Sequence, residues 1–503
     1  MKALLALVLL TAGLHAQTYE PPKFIDSERE AKTRALMPKV DKLAHAYAKV
    51  HDYPGFAYGV ILDGKLIHVG YGGYLDLNKK TAVQADSLFR VASMTKSLTT
   101  MAILKLRDEG KLRLDDPVKD YIPEMGKATI SEDAPVITVR DLMVHTAGFP
   151  YDDPWGDRNL DMTDSELEAV FEEGFSLSTP PGTAYEYSNL GYTMLGVIVQ
   201  KVSGMKYQDY VTQNVLEPIG AEDFYWEFSD IKPERRAHGY KKIADQWVEQ
   251  EILHDGALAP MAGLIASVES FSRYAQMHID AYPVRDGYDK GPVKRSTLRE
   301  MHQPHRFMEL ITKYPFNERV SLPLSQSYGY GLIHQTDGEG RQFVGHSGGL
   351  PGFGSNWNFM PEYGLGVIFF TNATYADAQK INLQILDFVV TKAELKPRVL
   401  PPSKELIQKR DELIKMFPQW NKGEKSGIFA SNFFGDYNDK RLKKFSKELL
   451  KKSGKIISVG EVEAENLLAG SFILYGEKGN LKIRIALNPE NPALIQHYRI
   501  QEV

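Results

Sequence analysis

The chain has 503 residues, 43% apolar and 25% charged, with 41 Gly and 27 Pro. These ordinary globular proportions exclude collagen-like, disordered and multi-span membrane proteins, and the length allows about three folded units or one large catalytic region with an appendage. Lys and Arg number 60 against 65 Asp and Glu, a net charge of −5, so no basic surplus supports nucleic-acid binding. The absence of cysteine excludes disulfide frameworks, thiol nucleophiles, Fe–S clusters and Cys-based zinc sites together.

The first residues read as a secretory signal peptide over residues 1–16: Lys2 precedes the apolar run Ala3 to Leu10, and small residues lead to a cleavage point after Ala16. The run falls short of the roughly 18 residues that span a bilayer. No later stretch is long and apolar enough to anchor the chain, which predicts an exported protein, periplasmic or extracellular, with no membrane span. Residues 17–395 then form the main unit. An amphipathic segment covers about Arg29 to Val50. Phe56–Leu62 and Lys65–Val69 flank Asp63-Gly64, a dipeptide that supplies the positive φ angles of a two-residue hairpin turn.

Residues 93 to about 300 read as helical and loop-rich, with helices near Ser93–Glu109, Thr163–Glu173, Leu190–Val202 and Ser267–Ile279. Strands return at Tyr328–Gln335, Arg341–Gly345, Gly352–Met360 and Leu365–Thr371, followed by a helix over Ala376–Val390. The pattern predicts an α+β fold: an antiparallel sheet assembled from both ends of the unit, flanked by helices, with a helical insertion between. Residues 396–402, Lys-Pro-Arg-Val-Leu-Pro-Pro, read as an extended linker. Residues 403–503 read as a small accessory α+β unit of two helices and a four-stranded meander, vaguely cystatin-like or NTF2-like, without a catalytic constellation.

Three motifs carry chemistry. Ser93-Met-Thr-Lys96 opens the helix whose apolar body includes Leu98, Met101, Leu104 and Leu106. Three residues apart on a helix, a hydroxyl and an ammonium share one face, and the helix N-terminus favours a developing alkoxide. A second Ser-x-x-Lys, Ser203-Gly-Met-Lys206, sits where Gly204 ends a helix and reads as a surface turn. Next, Tyr187-Ser-Asn189 follows a Gly/Pro turn and precedes an apolar helix; a phenol beside an ammonium has its pKa of about 10 lowered and can carry protons. Last, Gly345-His-Ser-Gly-Gly349 also fits the G-x-S-x-G elbow of α/β-hydrolases. An elbow needs strand, sharp turn and then helix, whereas further strands follow here, so the stretch reads as a strand edge with backbone N–H groups to offer.

In this order and context the motifs resemble the serine β-lactamase and penicillin-binding-protein family, in its branch of class C β-lactamases, DD-peptidases and esterases. Ser93 and Lys96 match that family's Ser-x-x-Lys, Tyr187 and Asn189 its Tyr-x-Asn, and His346, Ser347 and Gly348 its Lys/His-(Thr/Ser)-Gly strand. Ser87–Ala92, Leu142–Gly148 and Ala262–Ser267 look like the family too, and the likeness covers roughly residues 30–390. The resemblance implies a serine hydrolase that cleaves an amide or ester through an acyl-enzyme on Ser93. Lys96 and Tyr187 would manage the protons, with the general base open between them. Asn189 would hold Lys96 and the substrate amide, and the N–H groups of Ser93 and Gly349 would form the oxyanion hole. His346, Ser347, Gly348 and Gly349 would bind the far side of the substrate. No metal and no organic cofactor is implied; the substrate is a small molecule or peptide, and a non-enzymatic penicillin sensor and a plain carboxylesterase are the competing readings. His346 stands where β-lactamases of this branch usually carry Lys. An imidazole titrating near pH 6.5 would hold a carboxylate less firmly, which predicts a preference away from β-lactams.

Three further candidates read as structural: His302 and His305, separated by Pro304; His145, in a turn near the site; and the aromatics Tyr151, Trp155, Phe353 and Trp357, as core or rim packing.

Overall fold

In the strand Gly55–Leu62 every residue is buried, which requires cover on both faces of the sheet. The alternation of side chains shows the two layers: Ala57 and Ile61 pack with the helical region, whereas Phe56, Tyr58, Val60 and Leu62 pack with the helices Arg29–Val50 and Ala378–Lys392. The computed structural model describes residues 19–316, 320–420 and 423–503. The predicted signal peptide lies outside the described residues.

The sheet has nine strands in the spatial order Thr81–Ala82, Lys65–Asp76, Gly55–Leu62, Leu365–Thr371, Phe353–Met360, Gln342–Leu350, Ile333–Asp337, Ser321–Tyr328 and Arg306–Pro315. All neighbours are antiparallel. Strands from the beginning and the end of this unit pair directly, Phe56 opposite Thr371 and Leu62 opposite Leu365, with the helical region inserted between them in sequence.

Three strands of this sheet escape the sequence reading, the two-residue Thr81–Ala82 at one edge and two at the other. Arg306–Pro315 and Ser321–Tyr328 form the far edge, where Arg306–Pro315 is half exposed and carries charges that hide its alternation. The expected single strand Tyr328–Gln335 is instead broken: Tyr328 ends one strand and Ile333 begins the next. Gly331 makes that break at φ +69, and a Cβ there would lie 2.4 Å from Thr100 Oγ1 and 2.8 Å from Lys96 O, so the turn packs on the Thr95–Asp108 helix.

The described residues divide into two compact units, one over residues 26–397 and the other over 398–503 with residues 19–25. In the second unit Lys23 and Val399 exchange two backbone hydrogen bonds, so the proline-rich segment is extended and paired. That unit packs the helices Lys404–Met416 and Asp439–Ser453 on a sheet of five strands, one more than expected. The additional strand, Glu463–Asn466, pairs with Ala469–Gly476.

Candidate active site

Ser93 lies in a 3-10 turn, Ala92–Met94, that leads straight into the Thr95–Asp108 helix. Ala92 holds φ +51, a left-handed conformation that a Cβ disfavours, so surrounding contacts must impose it. Thr95 Oγ1 donates to Ala92 O at 2.7 Å and accepts the Leu264 N–H at 3.2 Å, pinning the turn to the strand Ile265–Ala266. Ser93 is 7% exposed, open just enough to meet a substrate.

One turn on, Lys96 is fully buried and spends all three ammonium hydrogens: on Asn189 Oδ1 at 2.7 Å, Met261 O at 3.0 Å and Ser93 Oγ at 3.1 Å. Its Nζ also stands 4.8 Å from the Tyr187 ring centre and 5.4 Å from that of Tyr192. Burial pushes the ammonium down to about 8, partly offset by the carboxylates of Asp153, Asp157 and Asp152.

Those three aspartates are the functional neighbours that the sequence reading missed. Asp152 caps the Asn189–Ser203 helix, accepting the N–H groups of Asn189 at 2.6 Å and Leu190 at 2.9 Å and the Ser188 hydroxyl at 3.1 Å. Asp153 Oδ1 accepts from Asn189 Nδ2 at 2.9 Å, and Asp157 Oδ1 receives the same amide at 3.5 Å. Burial and the neighbouring Asp153 push Asp157 up to about 7, and Tyr375 donates to its Oδ2 at 2.9 Å. The run Tyr151-Asp-Asp-Pro-Trp-Gly-Asp157 advertises acidity in the sequence, but nothing local shows that it folds against Asn189.

Asn189 therefore departs from expectation. Its oxygen holds Lys96 as predicted, yet it is fully buried and its Nδ2 hydrogens go to Asp153 and Asp157, leaving no amide group to hold a substrate.

Tyr187 departs as well. Burial, aided by the nearby Asp153 carboxylate, raises its phenol well above 10, so the hydroxyl stays protonated. The His145 ring lies 4.3 Å from the Tyr187 ring. His145 sits at φ +58 in a turn and accepts the Ser188 N–H through Nδ1 at 3.0 Å, so it braces the Tyr187–Asn189 segment as a neutral imidazole.

On the opposite wall, Gly345–Gly349 lies wholly inside the strand Gln342–Leu350, which excludes the elbow geometry. His346 is 3% exposed and hydrogen-bonds Ser347 O through Nδ1 and the Tyr328 hydroxyl through Nε2 at 2.9 Å. A carbonyl can only accept, so Nδ1 carries the proton and Nε2 accepts from Tyr328. Burial and the Lys96 charge push His346 down to about 3. The expected titration near pH 6.5 is thus corrected: both ring nitrogens are taken and the group is neutral. Ser347 occupies the other face of the strand, where its hydroxyl accepts from Asn356 Nδ2 at 2.9 Å and meets Gln379 Oε1 at 3.3 Å, facing the Ala378–Lys392 helix. Gly348 lies against the nucleophile turn: a Cβ there would come within 2.2 Å of Val91 O and 3.0 Å of Ala92 Cβ. Gly349 lies under Tyr375, whose Cδ1 a Cβ would approach to 2.8 Å.

The remaining candidates are structural. His302 is buried and paired with His278 at 2.8 Å and Tyr282 at 3.1 Å, while His305 stacks on Tyr330. Trp357 and Phe353 are core residues, and Tyr151 and Trp155 are exposed. Ser203 ends its helix, bonded to Val199 O, with Gly204 left-handed behind it. Among the described residues no group of three or more His, Asp or Glu is placed to hold a metal, and no helix is long and apolar enough to cross a membrane.

Protein flp of Staphylococcus aureus (strain N315) is 27% identical over 359 residues, 69% of this chain and 66% of that protein. Penicillin-binding protein 4* of Bacillus subtilis (strain 168) is 25% identical over 307 residues, 58% of this chain and 62% of that protein. The chain thus spans just under two thirds of the length of the curated relatives it matches. Among solved structures, the octameric penicillin-binding protein homologue from Pyrococcus abyssi shares the fold with a TM-score of 0.60 at 21% identity, over 92% of this chain and 99% of that one. The penicillin-binding protein from Bacillus halodurans does so at 0.55 and 21%, over 68% and 98%. The family profile described as Beta-lactamase matches residues 40–389, and with more than half of its length inside that match the chain belongs to the Beta-lactamase family of serine hydrolases and penicillin-binding proteins.

Proposed function

We propose that the chain is an exported serine hydrolase that opens an ester or amide through an acyl-enzyme on Ser93, with Lys96 as the general base. One observation carries the reading. Of the three groups around Lys96 Nζ, Asn189 Oδ1 and Met261 O can only accept, and Ser93 alone has a hydrogen to give. A neutral lysine keeps two N–H donors for the two fixed oxygens. Its lone pair is then left facing the Ser93 hydroxyl, and the lowered pKa makes the neutral form accessible near physiological pH.

Lys96 takes the Ser93 proton as Oγ attacks the carbonyl. The N–H groups of Ser93 and Gly349 receive the oxyanion. The Tyr187 phenol, protonated and with its ring centre 4.8 Å from Lys96 Nζ, gives its proton to the leaving group and recovers one from Lys96; a water then attacks the acyl-enzyme by the reverse relay. The edge of the strand Gln342–Leu350 binds the substrate through its backbone at Gly348 and Gly349. With His346 neutral and doubly bonded, the strand offers no cation to a substrate carboxylate, which favours esters and amides without one over β-lactams.

The test is a panel of p-nitrophenyl esters, a D-Ala-D-Ala peptide and a chromogenic cephalosporin, with Ser93→Ala as the control. Ester turnover that vanishes in Ser93→Ala is expected. Turnover unaffected by that substitution would remove Ser93 as the nucleophile, and stoichiometric acylation by penicillin with no turnover of any substrate would replace this reading with the sensor.

A further inference from the structure

The Asn189 amide can sit in its pocket two ways, and only one serves catalysis. With Oδ1 towards Lys96, the neutral lysine finds two pure acceptors and directs its lone pair at Ser93. With the amide reversed, Nδ2 would donate to Lys96 and compete with Ser93 for that lone pair. Within the amide itself the two orientations are isosteric, so the choice belongs to whatever faces its other end. Asp153 Oδ1 accepts from Nδ2 at 2.9 Å and Asp157 Oδ1 at the longer 3.5 Å. Reversing the amide would set Oδ1 against two carboxylates, an arrangement without a hydrogen to share.

Asp153 is itself held. Its Oδ2 accepts the Tyr151 hydroxyl at 2.7 Å, and it opens the short helix Asp153–Gly156 directly after Asp152, which is bound to the first backbone N–H groups of the Asn189 helix. Carboxylate and amide thus ride on one rigid junction.

We infer that Asp153 is a positioning residue for this reaction: it fixes the Asn189 amide with its oxygen towards Lys96, so that the lysine can accept only from Ser93. The inference rests on the acyl-enzyme reading above and adds a residue that never touches substrate. It also makes Asp153 the leading electrostatic support of the Lys96 ammonium, ahead of Asp157 and Asp152. The other ionisable groups facing Lys96 hold constant charge near neutrality: Tyr187 and Tyr192 stay protonated, and His145 and His346 stay neutral. Burial also raises the two remaining carboxylates nearby, Asp157 and Asp152.

The experiment measures kcat and KM for a p-nitrophenyl ester against pH in the full chain and in folded Asp153→Asn and Asp153→Leu, with Ser93→Ala alongside. Asp153→Asn loses the charge and can donate as well as accept, so the midpoint of the rising limb should move down by about one pH unit and kcat at the plateau should fall, though less than in Asp153→Leu. Asp153→Leu removes the acceptor, so kcat should fall about tenfold or more with KM nearly constant. A structural role alone would leave the midpoint in place. If both variants are folded and keep the wild-type midpoint and kcat while Ser93→Ala is inactive, the positioning role is overturned and the acyl-enzyme reading stands. If Ser93→Ala retains activity, both fall.

Discussion

Lys96 Nζ stands 3.1 Å from Ser93 Oγ, and its two other hydrogens are bound to oxygens that cannot donate. That saturation turns a Ser-x-x-Lys tetrapeptide, common by chance, into a directed proton path. It also sets a pH dependence whose sign is fixed. The lysine is pushed down to about 8 by burial, so its neutral, proton-accepting form grows from about a tenth at pH 7 to about nine-tenths at pH 9. The kcat/KM for a neutral ester should therefore rise about ninefold over that interval and level off above it. Lys96→Arg should abolish the reaction, since a guanidinium does not deprotonate. A pH-rate profile flat between 7 and 9 would remove Lys96 as the base.

Ser93 should be the nucleophile and Ser347 should not. A fluorophosphonate adduct is expected on the peptide containing Ser93, and Ser93→Ala should lose ester turnover by about 10³-fold or more. Ser347→Ala should keep most of it, because that hydroxyl is bound to Asn356 and Gln379 on the other face of its strand. Peptide mass spectrometry after labelling decides between them.

His346 should show no titration in the working range. The ratio of cephalosporin to simple-ester hydrolysis is expected to stay level from pH 5.5 to 8, because burial and the Lys96 charge keep the imidazole neutral down to about 3. His346→Lys should raise that ratio about fivefold if the ammonium is tolerated beside Lys96, a charge-assisted bond being roughly 1 kcal/mol stronger than a neutral one. A ratio that climbs as the wild type is acidified would show that His346 does protonate and read a carboxylate.

Gly348→Ala tests the close approach of strand and nucleophile turn. A Cβ 2.2 Å from Val91 O cannot be accommodated without moving the strand away from Ser93, so kcat should fall about 10²-fold while the protein remains folded. Unchanged kinetics would mean that this edge is not a wall of the site.

Truncation after residue 397 should leave a folded protein with its ester turnover. The two apolar clusters around the large sheet draw only on residues between 36 and 395, and the third draws only on residues 406 to 500, so each unit has an apolar core of its own. A soluble, folded but inactive truncated protein would show that the second unit completes the site.

Much of this protein is written locally. The Asp63-Gly64 turn, the helix over Arg29–Val50, the strands ending at Met360 and Thr371, and the helical settings of Ser93 and Asn189 follow from turn chemistry and periodicity, which act over a few residues. The same local signals place Ser93 and Lys96 one turn apart and set His346 in a strand. What they leave open is every relation between distant segments. The half-exposed strand Arg306–Pro315 has no clean alternation because its pairing with Ser321–Tyr328 shifts register twice and Phe307 and Leu310 stand exposed, and only that pairing makes it a strand. The state of Tyr187 and His346 depends on burial and hydrogen-bond partners contributed from far along the chain, and these reversed the pKa expected for the one and lowered that of the other. Asp153 lies 36 residues from the amide it holds. Sequence separation of that size conceals orientation, and orientation decides which end of Asn189 meets Lys96 and where the lysine must look for its proton.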